Sequence, residues 1–156
     1  GYTSFGAKFE GYLGITKSST VSTTAEIAFA DKTLPLTQQF SLGGLRSFYG
    51  MYQDEFRGRQ LFKLGVDYRY KLPFKIFFDT YVSAGYNIGS IWEEEEKIKL
   101  GDLRHALGIG LSFDTPVGPA DFAIGRTFLF VKNITEGLNP ISWGPVVFYF
   151  SIGFYY

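Results

Sequence analysis

The sequence predicts an all-β chain whose strands build an antiparallel transmembrane β-barrel. Three observations carry that expectation. Apolar residues recur at every second position over segments long enough to cross a bilayer. The connections between those segments alternate between short and long. Aromatic residues reach 19% of the chain, with 17 Phe and 11 Tyr beside 19 Gly and no Cys, whereas a soluble core favours Leu, Ile and Val. No apolar run approaches the roughly 20 residues of a spanning helix, and a backbone that crosses lipid without one must satisfy its hydrogen bonds as a closed barrel.

A strand turns successive side chains to opposite faces, so a period of two separates a greasy face from a polar one. By this rule strands are expected at residues 3–15, 20–30, 60–72, 76–89, 104–114, 120–130 and 146–156. The third shows the split most clearly: Phe62, Leu64, Val66, Tyr68, Tyr70 and Leu72 alternate with Lys63, Gly65, Asp67, Arg69 and Lys71. In the last, Val146, Phe148, Phe150, Ile152, Phe154 and Tyr156 alternate with Val147, Tyr149, Ser151, Gly153 and Tyr155. Most of these segments match the roughly 9 to 11 residues that cross a bilayer on a tilt and exceed the usual soluble strand.

The connections at 16–19, 73–75 and 116–119 are short, and those at 31–59, 91–103 and 131–145 are long. Tight periplasmic turns and longer external loops are the barrel pattern. If the last strand ends on the short-turn side, counting back puts Gly1 on the other side, while bacterial barrels normally have an even strand number. About seven or eight strands are therefore expected here as the C-terminal part of a larger barrel, with residues 1–156 one barrel segment and residues 31–59 its long lumen or external loop.

Acidic and basic residues balance at 15 each, which gives no reason to expect a nucleic-acid partner. The absence of Cys removes disulfide scaffolds and thiol chemistry. No catalytic, cofactor-binding or metal-ligating constellation is expected. His105, the single histidine, shares the phase of Leu107, Ile109, Leu111 and Phe113 and is read onto the outer face. The Glu93, Glu94, Glu95 and Glu96 run is read as a solvated loop tip rather than a Ca²⁺ site. Lys8, Glu10, Glu26, Lys63, Arg69 and Arg104 are expected lumen charges, and Trp92 and Trp143 fall near strand ends, where amphipathic rings suit the membrane interface.

The long loop centres on Phe40-Ser41-Leu42-Gly43-Gly44-Leu45-Arg46-Ser47-Phe48-Tyr49-Gly50. Adjacent glycines allow a tight positive-φ bend, the aromatics can pack on a wall, and one guanidinium can protrude. Further on come Asp114-Thr115-Pro116-Val117-Gly118-Pro119 and the terminal aromatic strand. In this order the three resemble the C-terminal barrel region of the BamA-like surface-antigen superfamily: outer-membrane assembly factors, two-partner secretion transporters and patatin-like proteins with a C-terminal barrel. The resemblance covers most of the chain from Phe40 onward.

The resemblance implies that Gly43, Gly44, Arg46, Phe48 and Gly50 form a lumen-entering loop. Its arginine would contact an acidic residue on the inner wall, for which Asp67 and Asp79 are the expected partners. Ser47 stands where the family commonly has Gly. Asp114, Pro116, Gly118 and Pro119 would form the penultimate hairpin, and Phe150, Ile152, Phe154 and Tyr156 the assembly signal.

The implied function is protein assembly, insertion or translocation at the bacterial outer membrane, without a cofactor. The implied partners are outer-membrane lipid, client outer-membrane proteins, and a missing N-terminal barrel half or another chain at the seam. Two alternatives stand beside it. One is an anchor or export barrel for an upstream patatin-like phospholipase, since Gly-x-Ser-x-Gly is absent from these residues. The other is a small structural barrel.

Overall fold

The computed structural model describes residues 1–131 and 140–153. In chain order its strands are β1 (Ser4–Thr16), β2 (Ser19–Ala30), β3 (Phe40–Leu42), β4 (Phe56–Gly58), β5 (Gln60–Lys71), β6 (Thr80–Trp92), β7 (Arg104–Thr115), β8 (Gly118–Phe130) and β9 (Ile141–Ile152). The long strands form one seven-stranded sheet in the order β1-β2-β5-β6-β7-β8-β9. Every neighbouring pair in it is antiparallel. The short β3 and β4 pair with each other inside the β2–β5 connection. Strands of 12 to 13 residues span about 40 Å along their axes, or roughly 30 Å when tilted, which is the thickness of a hydrocarbon core.

The sheet is open, with β1 and β9 at its edges, and it curves. Lys8 and Glu10 of β1 line the same concavity as Asp121 and Ala123 of β8, around a space of about 510 Å³. Burial runs opposite to a soluble fold. On the convex side Phe9 is 65% exposed, Ile109 60% and Phe148 77%, whereas Lys63 and Asn87 on the concave side are 6% and 5% exposed. The charged phase of β5 therefore faces inward, and the apolar phase faces out, where only a lipid environment makes it favourable.

A compact apolar core lies between the β2–β5 loop and the long-loop end of the concave wall. Leu42, Phe48, Tyr49 and Met51 from the loop meet Ala28, Leu61 and Ala106 from the sheet. The loop thus buries its apolar residues inside, which lets the outer face stay greasy without competing for them.

Two strands differ from the sequence expectation by more than about two residues at an end. The strand expected at residues 76–89 runs instead from Thr80 to Trp92. Phe77 adopts φ 65° and Phe78 bonds back to Ile76 at 2.8 Å, so residues 72–79 form a broad turn that alternation alone could not distinguish from strand. The terminal strand expected at 146–156 begins at Ile141. Pro145 does not break it, because the register shift between Arg126 and Phe128 places an extra β9 residue between Trp143 and Val146, and a bulge tolerates a proline that cannot donate to the ladder. Phe150 and Ile152 lie on the convex face, 63% and 59% exposed, while Phe154 and Tyr156 lie outside the described residues.

The short turns follow local chemistry. Thr16 and Ser19 hydroxyls meet at 2.7 Å across the β1–β2 turn. Pro116 and Val117 form the β7–β8 turn, which Gly118 closes at φ 112°; Asp114 pairs with Pro119 in the ladder behind it.

Candidate functional site

The candidate site is the β2–β5 loop where it seats on the concave wall. Gly43 and Gly44 have φ of 130° and 106°, conformations open to glycine and costly for side chains with a Cβ. This bend lets the Gly44 carbonyl accept from Ser47 N at 3.1 Å and Phe48 N at 2.9 Å, while Gly44 N donates to the Met51 carbonyl at 3.1 Å. The segment therefore closes on itself and projects its side chains at the wall. At Gly50 (φ 71°) the loop backbone lies so close to β8 that a Cβ would come 2.5 Å from Arg126 C and Thr127 N.

Tyr49 is the centre of the contact. Asp67, Gly85, Gly108 and Gly125 are successive partners in one row across β5, β6, β7 and β8. The ring of Tyr49 lies over Gly85 and Gly108, where a Cβ would drive into it, and at Gly125 a Cβ would meet the Tyr49 Cβ and the Gly50 backbone. At the end of this floor the Tyr49 hydroxyl donates to Asp67 Oδ1 at 3.0 Å, and its backbone N donates to Asn87 Oδ1 at 3.1 Å. Burial, followed by the charge of Asp67, pushes the Tyr49 hydroxyl well above its ordinary value of 10.0.

Around that anchor the loop is tied at further points. Arg46 Nη2 donates to Asp121 Oδ2 of β8 at 3.1 Å. Lys63 Nζ donates to Ser47 Oγ at 3.4 Å and pairs with Glu26 at 2.7 Å. The Tyr149 hydroxyl donates to the Met51 carbonyl at 2.7 Å and stands 2.9 Å from Met51 N. Phe48 is completely buried among the apolar residues above.

The expected wall partners of Arg46 require correction. The structure seats Arg46 against Asp121, and it gives Asp67 and Asp79 other partners. Asp67 still holds the loop, but through Tyr49. Asp79 sits at the short-turn end, bound by Lys71 at 2.7 Å and Lys75 at 3.1 Å, and these two cations hold its carboxyl below the usual range. The reason is reach: Asp79 precedes β6 at the far end from the loop, whereas Asp121 lies opposite Ser151 and Ser112 on the inner wall.

Asp121, Tyr49 and the glycine row escaped the sequence reading. A usable signal was present, since Gly85, Gly108 and Gly125 share the inward phase of three consecutive strands. Period-two reading treats a glycine as neutral and passes over it. The remaining expected residues fall as follows. Lys8, Glu10, Lys63 and Arg69 line the concavity. Arg104 stacks on Phe56 of the loop ribbon at 4.6 Å. His105 is on the convex side, hydrogen-bonded to Tyr86 and 5.1 Å from the Phe128 ring. Among the described residues no group of three or more His, Cys, Asp or Glu is placed to hold a metal ion.

This geometry positions and fastens; its polar groups are spent on holding a loop against a wall. A comparison with curated proteins gives no match. The model of the Omp85 superfamily domain, a superfamily of bacterial outer-membrane proteins, matches residues 1–156. An apolar convex sheet, a polar concave wall and a long loop fastened inside it are thus the features of a chain that belongs to the Omp85 superfamily.

Proposed function

We propose that this chain is the C-terminal barrel region of an outer-membrane protein that assembles, inserts or translocates other polypeptides, with residues 31–59 as its lumen element. One observation carries the reading: the loop is fastened to the lumen wall by Tyr49 and Arg46, while the outer surface is left to lipid. A passive hairpin connection needs no such seat, and long ordered loops usually have a function. The loop combines an apolar core around Phe48 with separate polar ties at Arg46, Ser47, Tyr49 and Met51, a divided seat that suits an element that shifts when a client enters.

The open edges support the same reading. Seven antiparallel strands leave β1 and β9 running in the same direction, so direct closure of β9 on β1 would be a parallel pair. An odd number of further strands makes every pairing antiparallel, as in bacterial barrels. The hydrogen-bonding edge of β9 would then lie at a seam, where strand edges template other strands.

Depletion of the whole protein from its host tests the proposal. Folded outer-membrane or surface-exported proteins are expected to fall. A chain carrying Y49F together with D121N should restore them only partly at equal barrel abundance. Unchanged levels of every such protein on depletion would overturn the reading.

A further inference from the structure

The convex phase of the spanning strands is apolar except at one place. Among the described residues, Arg126 of β8 is the one charged side chain in that phase, exposed between its ladder partners Leu107 and Val146, both of which are themselves outward-facing and exposed. It is not stranded there. Its Nε donates to the Gly144 carbonyl at 2.8 Å, and its guanidinium lies 5.0 Å from the centre of the Trp143 ring. Gly144 is available because the β9 bulge falls beside it, where β8 passes from Arg126 to Phe128 while β9 passes from Val146 to Trp143. Bulges re-aim side chains, and this one turns a carbonyl and an indole toward a single cation.

The position suits the edge of a leaflet. Arg126 lies four residues inside Phe130, the long-loop end of β8, which is roughly 10 Å below that end for a tilted strand. Both of its holders, Trp143 and Gly144, are nearer the long-loop end, so the head group is drawn toward the interface while the stem stays among apolar neighbours. Trp143 continues into an aromatic band through Phe128, His105 and Phe130, of the kind that marks an interface. A guanidinium has five N–H donors, and Gly144 takes one. Among the described residues no carboxylate pairs with Arg126, and a planar fork with donors left over matches a phosphate.

We propose that Arg126, held by Gly144 and Trp143, binds the phosphate of an anionic lipid headgroup in the leaflet on the long-loop side. The test uses the whole protein in detergent, with lipid retention read by native mass spectrometry and folding scored by the heat-dependent shift in gel mobility. Wild type is expected to hold phosphatidic acid about tenfold more tightly than phosphatidylcholine. R126Q should lose that preference, and R126K, which keeps charge without the fork, should fall between them. Inorganic phosphate at the same concentration should not compete, because it lacks the acyl chains that bring the headgroup to this depth. Absence of any preference in wild type would overturn the proposal whether or not R126Q folds. An equal preference in R126Q and wild type would also overturn it, and so would full competition by inorganic phosphate; with no preference for lipid, a protein contact becomes the role left for the cation.

Discussion

Tyr49 shows how one side chain can require three distant glycines. Its ring occupies the space that a Cβ at Gly85 or Gly108 would fill, and its Cβ and backbone fill the space over Gly125, so the floor and the aromatic are complementary and neither is intelligible alone. Y49F keeps the ring and removes the bond to Asp67; a loss of about 1 kcal/mol in unfolding free energy is expected. G108A pushes a methyl into the ring and should cost about 1 to 3 kcal/mol, with faster proteolysis of the loop. Urea unfolding and limited proteolysis measure both, and a G108A variant as tightly closed as wild type would contradict the seat. The same contact predicts alkaline sensitivity. The folded hydroxyl keeps its proton above the ordinary value of 10.0, so its contribution is complete below that value and is lost as pH rises toward the higher folded one. The late absorbance change of one tyrosinate, abolished in Y49F, reports it. Arg46 was legible as a loop cation from its motif, but its partner was not. The period-two rule put Asp67 and Asp79 on the inner wall and did not single out Asp121, and only the curvature of the sheet selects which carboxylate stands within 3.1 Å.

At the scale of elements, the loop and the turns answer to different forces. The loop is held at several points, so D121N is expected to raise its cleavage rate severalfold, by the loss of one charge-assisted bond. D79N should leave loop cleavage unchanged, because Asp79 binds Lys71 and Lys75 in the β5–β6 turn. That turn carries its own pH dependence. The folded pKa of Asp79 lies below its ordinary value of 3.8, through hydrogen bonds from Lys71 and then Lys75. The contribution is therefore present above the ordinary value and lost as pH falls through the lowered one, seen as faster amide exchange in residues 72–79 that D79N abolishes. The strands themselves were read well where alternation was strict, as in β5, and poorly where it gave out. Ile76 and Phe78 keep the alternation through a turn, because Phe77 at φ 65° reverses the chain without changing the pattern. Gly144-Pro145 interrupts a strand that in fact continues, because a bulge absorbs both residues.

For the whole molecule the decisive issue is what solvates the convex face. Ile109, near the middle of β7, is 60% exposed. In water an exposed Ile→Arg change costs about 0.5 kcal/mol or less, whereas at the bilayer midplane it costs about 2 to 4 kcal/mol. Folding of I109R into vesicles therefore separates the two environments, and a cost near zero would contradict a lipid-facing wall. S112R, on the concave wall opposite Asp121, should be tolerated far better. The sequence by itself determined the strand class, the two faces of each strand and the order of the hairpins. Those are written in periods of two and in turn chemistry, which act between residues close in the chain. Only the tertiary structure decided the contact of Arg46 with Asp121, the seat of Tyr49, the cradle of Gly144 and Trp143 around Arg126 and the apolar plug inside the wall. Each depends on curvature and register, which bring together residues tens of positions apart, and a local pattern contains no term for that distance.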